Sequence, residues 1–239
     1  GTAVNNDGHA KAGLHAPSVG AQEGVLCAAY GRCGVDAGTV ELVEAHGTGT
    51  ALGDPIEWEA LGRALGSGRQ GRCAVGSVKT NLGHTEACAG LAGVAKAVLA
   101  LQHRQLPATL NLEEPNRHLE LADSPLYIND RLRDWPAVAA HPRRAGVSSF
   151  GFGGSNAHAI LEEAPPRVAA PRADSRPAHL LLLSAHSSQA LAELADRYIA
   201  LLDEEPQTPI ADLCYTAATG RTHHPHRLAG VGRWRCQMA

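Results

Sequence analysis

The sequence predicts an α/β protein, and three observations carry that prediction. Short apolar segments of strand length alternate with longer segments of helical periodicity. Polar, glycine-containing loops follow directly after the strand segments. The 26 glycines and 14 prolines among 239 residues supply the sharp turns such a layout needs. By composition the chain divides into three stretches. Residues 1–164 carry clear strand and helix patterns, and residues 165–177 read PPRVAAPRADSRP, an extended linker or strap with little to bury. Residues 178–239 resume with an apolar run and a helical pattern, a small α/β unit of their own.

Val40 to Glu44 is the first strand segment and leads into the loop His46-Gly47-Thr48-Gly49-Thr50. Asp54-Pro55-Ile56-Glu57 then opens a helix, with Asp54 as N-cap, Pro55 at the first helical position and Glu57 two further on. Ile56, Ala60, Leu61, Ala64 and Leu65 line one face, and Gly66 stops it. Cys73 to Val78 is the next strand. A longer helix follows from about Thr85 to Gln102, with Leu91, Val94, Ala95, Val98 and Leu99 on one side and much alanine and glycine elsewhere. That composition suits close packing against other backbone. Leu126 to Ile128 is a short strand, and Ala145 to Phe150 and Ala157 to Glu162 are strands meeting at a tight glycine bend. In the third stretch His179 to Ser184 is a strand and Gln189 to Leu202 a helix with Leu191, Leu194, Ala195 and Tyr198 inward. Ile210 to Ala218 is helical, and Arg227 to Val231 is a final strand.

Several function classes are excluded by composition. Twenty-one basic against 24 acidic residues give a net charge of −3, which leaves no basic stripe for nucleic acid. Aromatics at 4% are too few for base-stacking platforms. No apolar run approaches the roughly 18 residues of a membrane helix, so neither nucleic acid nor membrane is expected as a partner. The six cysteines at 27, 33, 73, 88, 214 and 236 include no Cys-x-x-Cys pair and none in the setting of a nucleophile, and a reducing cytoplasmic location is the plain expectation. Cys88 falls inside the glycine-alanine helix, where packing wants a small apolar side chain. His223, His224 and His226 match no zinc spacing with Cys214 and Cys236, so they read as solvated turn residues and no metal site is expected. The opening on Gly1 and Thr2, with Met238 the single methionine, reads as a cut from something longer.

Three loops concentrate the chemistry. His46 ends a strand, and two glycines let the backbone turn sharply beside Thr48 and Thr50; the ring either offers a donor or base at the carboxyl end of a sheet or simply caps the strand. Lys79-Thr80-Asn81-Leu82-Gly83-His84-Thr85-Glu86 places a lysine at a strand end and His84 at the mouth of a helix. A helix N-terminus disfavours imidazolium, leaving His84 able to donate to a developing oxyanion. Glu86 is positioned to pair with Lys79. The third loop, Phe150-Gly151-Phe152-Gly153-Gly154-Ser155-Asn156, holds both phenylalanines of the chain, suited either to a gate or channel wall or to plugging the core. It lacks a phosphate-binding glycine fingerprint.

HGTGT at 46–50, KTNLGH at 79–84 and GFGGSNAH at 151–158, in that order, resemble the β-ketoacyl synthase family, in the version found in modular type I polyketide synthases. GTAVNNDG at 1–8, EAHGTGTALGDPIE at 44–57, SVKTNLGHTEACAG at 77–90 and PATLNLEEPN at 107–116 extend the likeness over about residues 1–165. Residues 178–239 are similar to the linker domain between a ketosynthase and the next domain, often an acyltransferase. The resemblance implies the C-terminal half of a thiolase-like fold, layered α-β-α-β-α and normally a homodimer. It also implies decarboxylative Claisen condensation of an acyl thioester with a malonyl-type extender. Substrates arrive on the 4′-phosphopantetheine of an acyl carrier protein, and no cofactor is bound directly. His46 and His84 match the two histidines of a Cys-His-His site, donors to the extender carbonyl as CO2 departs. Lys79 matches the supporting lysine, with Glu86 as its partner. Thr48 and Thr50 resemble pantetheine-arm contacts, Phe150 or Phe152 the gating aromatic, and Asn156 a support of that loop. The nucleophilic cysteine belongs to the family's first half, and no such motif occurs here. The expected partners are therefore the missing N-terminal half, the carrier protein and an acyltransferase in cis or in trans, and the fragment alone is expected to be inactive. A non-condensing scaffold or decarboxylase component that binds carrier protein is the alternative, and a thiolase acting on acyl-CoA is a weaker third.

Overall fold

In a computed structural model, residues 1–10, 16–66, 68–69, 71–166 and 176–232 are described. Residues 167–175 of the proline-rich stretch, Cys236 and Met238 lie outside that set. The chain divides into two compact units, Gly1–Pro166 and Arg167–Ala239.

The first unit runs β1 (Thr2–Asn6), α1 (Val19–Cys33), β2 (Leu42–Glu44), α2 (Gly53–Gly66), β3 (Cys73–Gly76), the single turn α3 (Lys79–Leu82) and α4 (Ala89–His103). It continues with β4 (Gln105–Leu106), β5 (Leu126–Ile128), β6 (Arg133–Asp134), β7 (Arg144–Phe150) and β8 (Ser155–Glu162). Six of these strands form one mixed sheet in the order β1-β8-β7-β2-β3-β5, and β4 pairs with β6. β7, β2, β3 and β5 are parallel, and β8 runs antiparallel to both β7 and β1. β1, β2, β3 and β7 thus end on the edge where β8 begins. Polar loops gather there, at the carboxyl ends of the parallel strands.

Alternation along the short central strands explains why the sheet is covered on both faces. Val43, Cys73, Val75 and Leu126 pack with Leu26 and Tyr30 of α1 and with Leu61 and Leu65 of α2. Leu42, Ala74, Ala145 and Val147 pack on the other face against Ala97, Ala100 and Leu101 of α4, with Trp135 beside them. Helix α4 approaches closely because its sheet-facing residues are small. A Cβ placed on Gly93 would lie 3.1 Å from Val147 Cγ1 and 3.2 Å from Glu44 Cγ.

Several expectations are corrected here. The side of α4 carrying Leu91, Ala95 and Leu99 is exposed, Leu91 to 72%, and the small-residue side is the buried one. The helix expected from Thr85 begins at Ala89, after a 3₁₀ turn over Glu86–Cys88, and exposed Cys88 sits in that turn outside the helix. Cys27 and Cys33, which the sequence reads as buried or incidental, are exposed on α1. β1 and α1 had no counterpart in the sequence reading, because Gly20, Gly24 and Gly31 dilute the helical signal of α1.

The second unit contains β9 (His179–Ala185), α5 (Ser188–Glu204), α6 (Ile210–Thr219) and β10 (His226–Gly232), with β9 and β10 antiparallel. Ser187 caps α5 by accepting from the Ala190 N–H at 3.1 Å. Leu181 and Leu183 of β9 and Cys214 and Ala217 of α6 form its core, against which Leu191, Leu194, Ala195 and Tyr198 of α5 pack. His223 and His226 are exposed, and His224 lies against His186 with ring centroids 3.9 Å apart and planes tilted by 41°. No described helix is long and apolar enough to cross a membrane, and no described cluster of side chains could hold a metal.

Candidate active site

A cleft of about 550 Å³ runs along the carboxyl edge of the sheet, and His46, His84, Thr48, Thr50, Phe150 and Asn156 are among its lining residues. The three loops singled out by the sequence therefore meet at one place.

The first loop is held from helix α2. Gly47 and Gly49 adopt left-handed backbone, φ 45° and 72°, which turns the chain back immediately after β2. The Glu57 carboxylate accepts the His46 N–H at 2.8 Å and the Gly47 N–H at 2.9 Å, and Asp54 accepts the Gly49 N–H at 3.1 Å. The helix start is capped by Thr50, whose hydroxyl accepts from the Gly53 N–H at 3.0 Å, so the N-cap duty expected of Asp54 falls to Thr50. Burial pushes the Glu57 carboxyl up to about 7, opposed by the backbone N–H groups of Gly47 and His46. Sequence reasoning placed Glu57 only as a helix-start residue. Its signal was the four-residue spacing to Leu61 and Leu65, which puts a carboxylate on the buried face.

His46 is pulled down to about 4, by burial first, then by the Lys79 charge and by His84. The ring is consequently neutral at pH 7. Its edge meets His84, centroids 5.7 Å apart at 85°, and Phe150 stands 5.7 Å away. Both phenylalanines line the cleft: Phe150 also packs on the core beside His46, and Phe152 is 71% exposed.

His84 is oriented by its own loop. Glu86 has φ 48°, an unusual value for a side chain of its size, and that conformation aims its backbone N–H at His84 Nδ1, 3.0 Å away. With Nδ1 accepting, the proton of the neutral ring lies on Nε2, which is then a donor. The ion pair expected between Lys79 and Glu86 does not form among the described residues. Burial lowers the Lys79 pKa, and the carboxylates raising it are Glu57, Glu44 and Asp54, in that order. Lys79 itself does not line the cleft and acts on His46 through its charge. Beneath it, buried Glu44 accepts the Val78 N–H and pairs with Lys96 Nζ at 3.3 Å. Asn156 ties β8 to β1, donating to Asn5 Oδ1 at 3.1 Å and Asp7 Oδ1 at 2.7 Å.

Two imidazoles set edge to face in one cleft, one of them with Nε2–H free of backbone, suit hydrogen bonding to an oxygen that gains negative charge. None of the described cysteines lines the cleft.

Known proteins similar to this chain are numerous. Residues 1–113 match the family model "Beta-ketoacyl synthase, C-terminal domain", and residues 179–238 match "CurL-like, PKS C-terminal". A phenolphthiocerol/phthiocerol polyketide synthase of Mycobacterium tuberculosis is 44% identical over 236 residues, 97% of this chain and 16% of that protein. Erythronolide synthase EryA3 of Saccharopolyspora erythraea is 47% identical over 235 residues, 97% of this chain and 7% of its own length. Among solved structures, the ketosynthase from module 6 of the bacillaene synthase of Bacillus subtilis 168 superposes with a TM-score of 0.80 at 38% identity, covering 100% of this chain and 41% of that one. The module 1 ketosynthase of the Bacillus amyloliquefaciens FZB42 bacillaene synthase gives 0.81 at 38% identity, covering 100% of this chain and 44% of that one. The chain thus spans less than a fifth of these curated relatives and less than half of these solved ketosynthases.

Proposed function

The chain belongs to the β-ketoacyl synthase family, in the branch found in modular type I polyketide synthases, and from that premise we propose that its cleft serves decarboxylative condensation in a complete ketosynthase. The fold is thiolase-like, and residues 1–113 match the C-terminal domain of that enzyme. The observation that carries the reading is the pair of histidines, 5.7 Å apart in one cleft, with the Nε2 proton of His84 fixed by the contact at Nδ1.

The chemistry follows from these groups. A malonyl-type thioester enters on the phosphopantetheine of an acyl carrier protein, its arm lying along Thr48 and Thr50. The bond to the carboxylate breaks, CO2 leaves, and the electron pair passes into the thioester as an enolate. Hydrogen bonds from His46 and His84 to the enolate oxygen lower that barrier, because they strengthen as charge develops. The enolate carbon then attacks a second acyl thioester, forming the carbon–carbon bond and expelling the thiolate that held the acyl group. That thiolate is assigned to a cysteine in the part of a ketosynthase outside this chain. Burial, with the Lys79 charge second, keeps His46 uncharged, and Glu57 keeps its loop in place.

The expected setting is a cytoplasmic homodimer of complete ketosynthases, working with a carrier protein and with an acyltransferase in cis or in trans. The test is product formation by the complete ketosynthase from an acyl-pantetheine and a malonyl carrier protein. A β-ketoacyl thioester supports condensation. Carrier-protein binding with neither product nor CO2 would establish a scaffold instead.

A further inference from the structure

The cleft holds a polar group that the histidine chemistry leaves unused. Gln22 lies in the first turn of α1, which Ser18 caps by accepting from the Ala21 N–H at 3.3 Å. It is spaced by four residues from Leu26 and by eight from Tyr30, so it shares the core-facing side of the helix, and it is 1% exposed. Its Oε1 is buried and has no hydrogen-bond partner among the described residues, yet the side chain lines the same cleft as His46 and His84. Leaving an amide oxygen unpaired in a core is costly, so this acceptor is suited to a donor brought into the cleft.

The surroundings are rigid and polar. Asn5 Nδ2 donates to the Ala21 carbonyl at 2.7 Å, and the Asn156 amide bridges Asn5 and Asp7, so α1, β1 and β8 are linked beside Gln22. Asp7 and Asn156 also line the cleft. β1, which Asp7 follows, and β8, which carries Asn156, stand at one side of β7, and β2, which leads to His46, at the other. Two interstrand spacings, roughly 10 Å, therefore separate β8 from β2.

We propose that Gln22 is a specificity-determining residue whose Oε1 accepts a hydrogen bond from an O–H or N–H group of the bound thioester. The proposal rests on the cleft being a thioester site. Two sources offer that donor: a hydroxyl on the acyl chain, or an amide of the pantetheine arm. An aliphatic chain without a donor would leave Oε1 unpaired, so the cleft selects against it.

The experiment measures equilibrium binding of pantetheine thioesters to the complete ketosynthase by calorimetry, apart from any condensation. One arm compares acyl chains hydroxylated at successive positions with their deoxy counterparts. The other compares the natural arm with one whose amides are replaced by esters. The expected result is that the donor-bearing member of one pair binds about tenfold or more tightly in wild type, and that Gln22→Leu brings the ratio close to one. The arm in which this happens identifies the source. Gln22→Met, which keeps the side-chain length, should behave alike. In the ligand-free protein, Gln22→Leu should leave Tm unchanged or raise it, because an unpaired acceptor has been removed. Equal ratios in wild type and variant would mean that water alone satisfies Oε1, and a lowered Tm in both variants would mark a structural residue; either overturns the proposal. Equal binding of donor-bearing and donor-free thioesters by wild type, with condensation intact, would overturn only this inference. Failure of wild type to bind any pantetheine thioester would overturn the thioester reading with it.

Discussion

Buried neutral histidines and a buried carboxyl give this chain opposing responses to acid. Burial brings His46 to about 4 and His158 to about 3 from an ordinary 6.5. Below pH 6.5 the unfolded chain takes up protons that the folded chain refuses, so the stability tied to these rings is complete above 6.5 and lost toward 4 and 3. Glu57 works the other way. Its carboxyl, raised from 4.5 to about 7, gains a proton in the folded state first, so its destabilising charge is relieved as pH falls from 7 to 4.5. Two groups oppose one, and urea unfolding should show stability declining gently from pH 6.5 to 4.5 and steeply below. Glu57→Gln removes the compensation, and its decline between pH 6.5 and 4.5 should be about twice as steep as that of wild type; a variant profile parallel to wild type would contradict this assignment. His158 is neutral within a closed set of contacts, Tyr30 Oη and Ser148 Oγ each 3.0 Å from a ring nitrogen. The residues that motifs name, His46, His84, Thr48 and Thr50, were legible in the sequence and do line the cleft. Their supports were not. A carboxylate eleven residues from His46 and a backbone N–H at Glu86 become partners only when α2 and a left-handed turn bring them there.

Among the elements, short strands with loops behind them were easiest to read. Leu126–Ile128 has the expected bounds, and the helices and strands of the second unit fall within two residues of expectation at each end, because apolar period and turn residues agree there. Helix α4 shows where periodicity misleads. Its leucines and valines form the stronger apolar stripe, yet the sheet takes the side bearing Gly93, Ala97 and Ala100, since backbone proximity rewards small residues. Gly93→Val should therefore push α4 away from Val147 and disturb the Glu44–Lys96 pair, costing about 1–3 kcal/mol in urea unfolding. Unchanged stability would show that the helix has room to spare.

At the level of the whole molecule, each unit has its own core, and the first leaves a considerable apolar surface uncovered. Leu82, Leu91 and Leu99 are 65%, 72% and 52% exposed, the first two flanking His84 in sequence. Under the proposed function this surface, like the cleft, is completed by the remainder of a ketosynthase, and the pair of histidines is this chain's contribution to the reaction. The central claim is that His46 and His84 stabilise the enolate while the acyl group is held elsewhere. His84→Ala in the complete ketosynthase separates those duties, with acyl loading and CO2 release from a malonyl carrier protein measured side by side. The variant should load acyl groups as before and release CO2 more slowly by about a hundredfold or more, the loss expected for one oxyanion donor; decarboxylation at the wild-type rate would contradict the role assigned to His84.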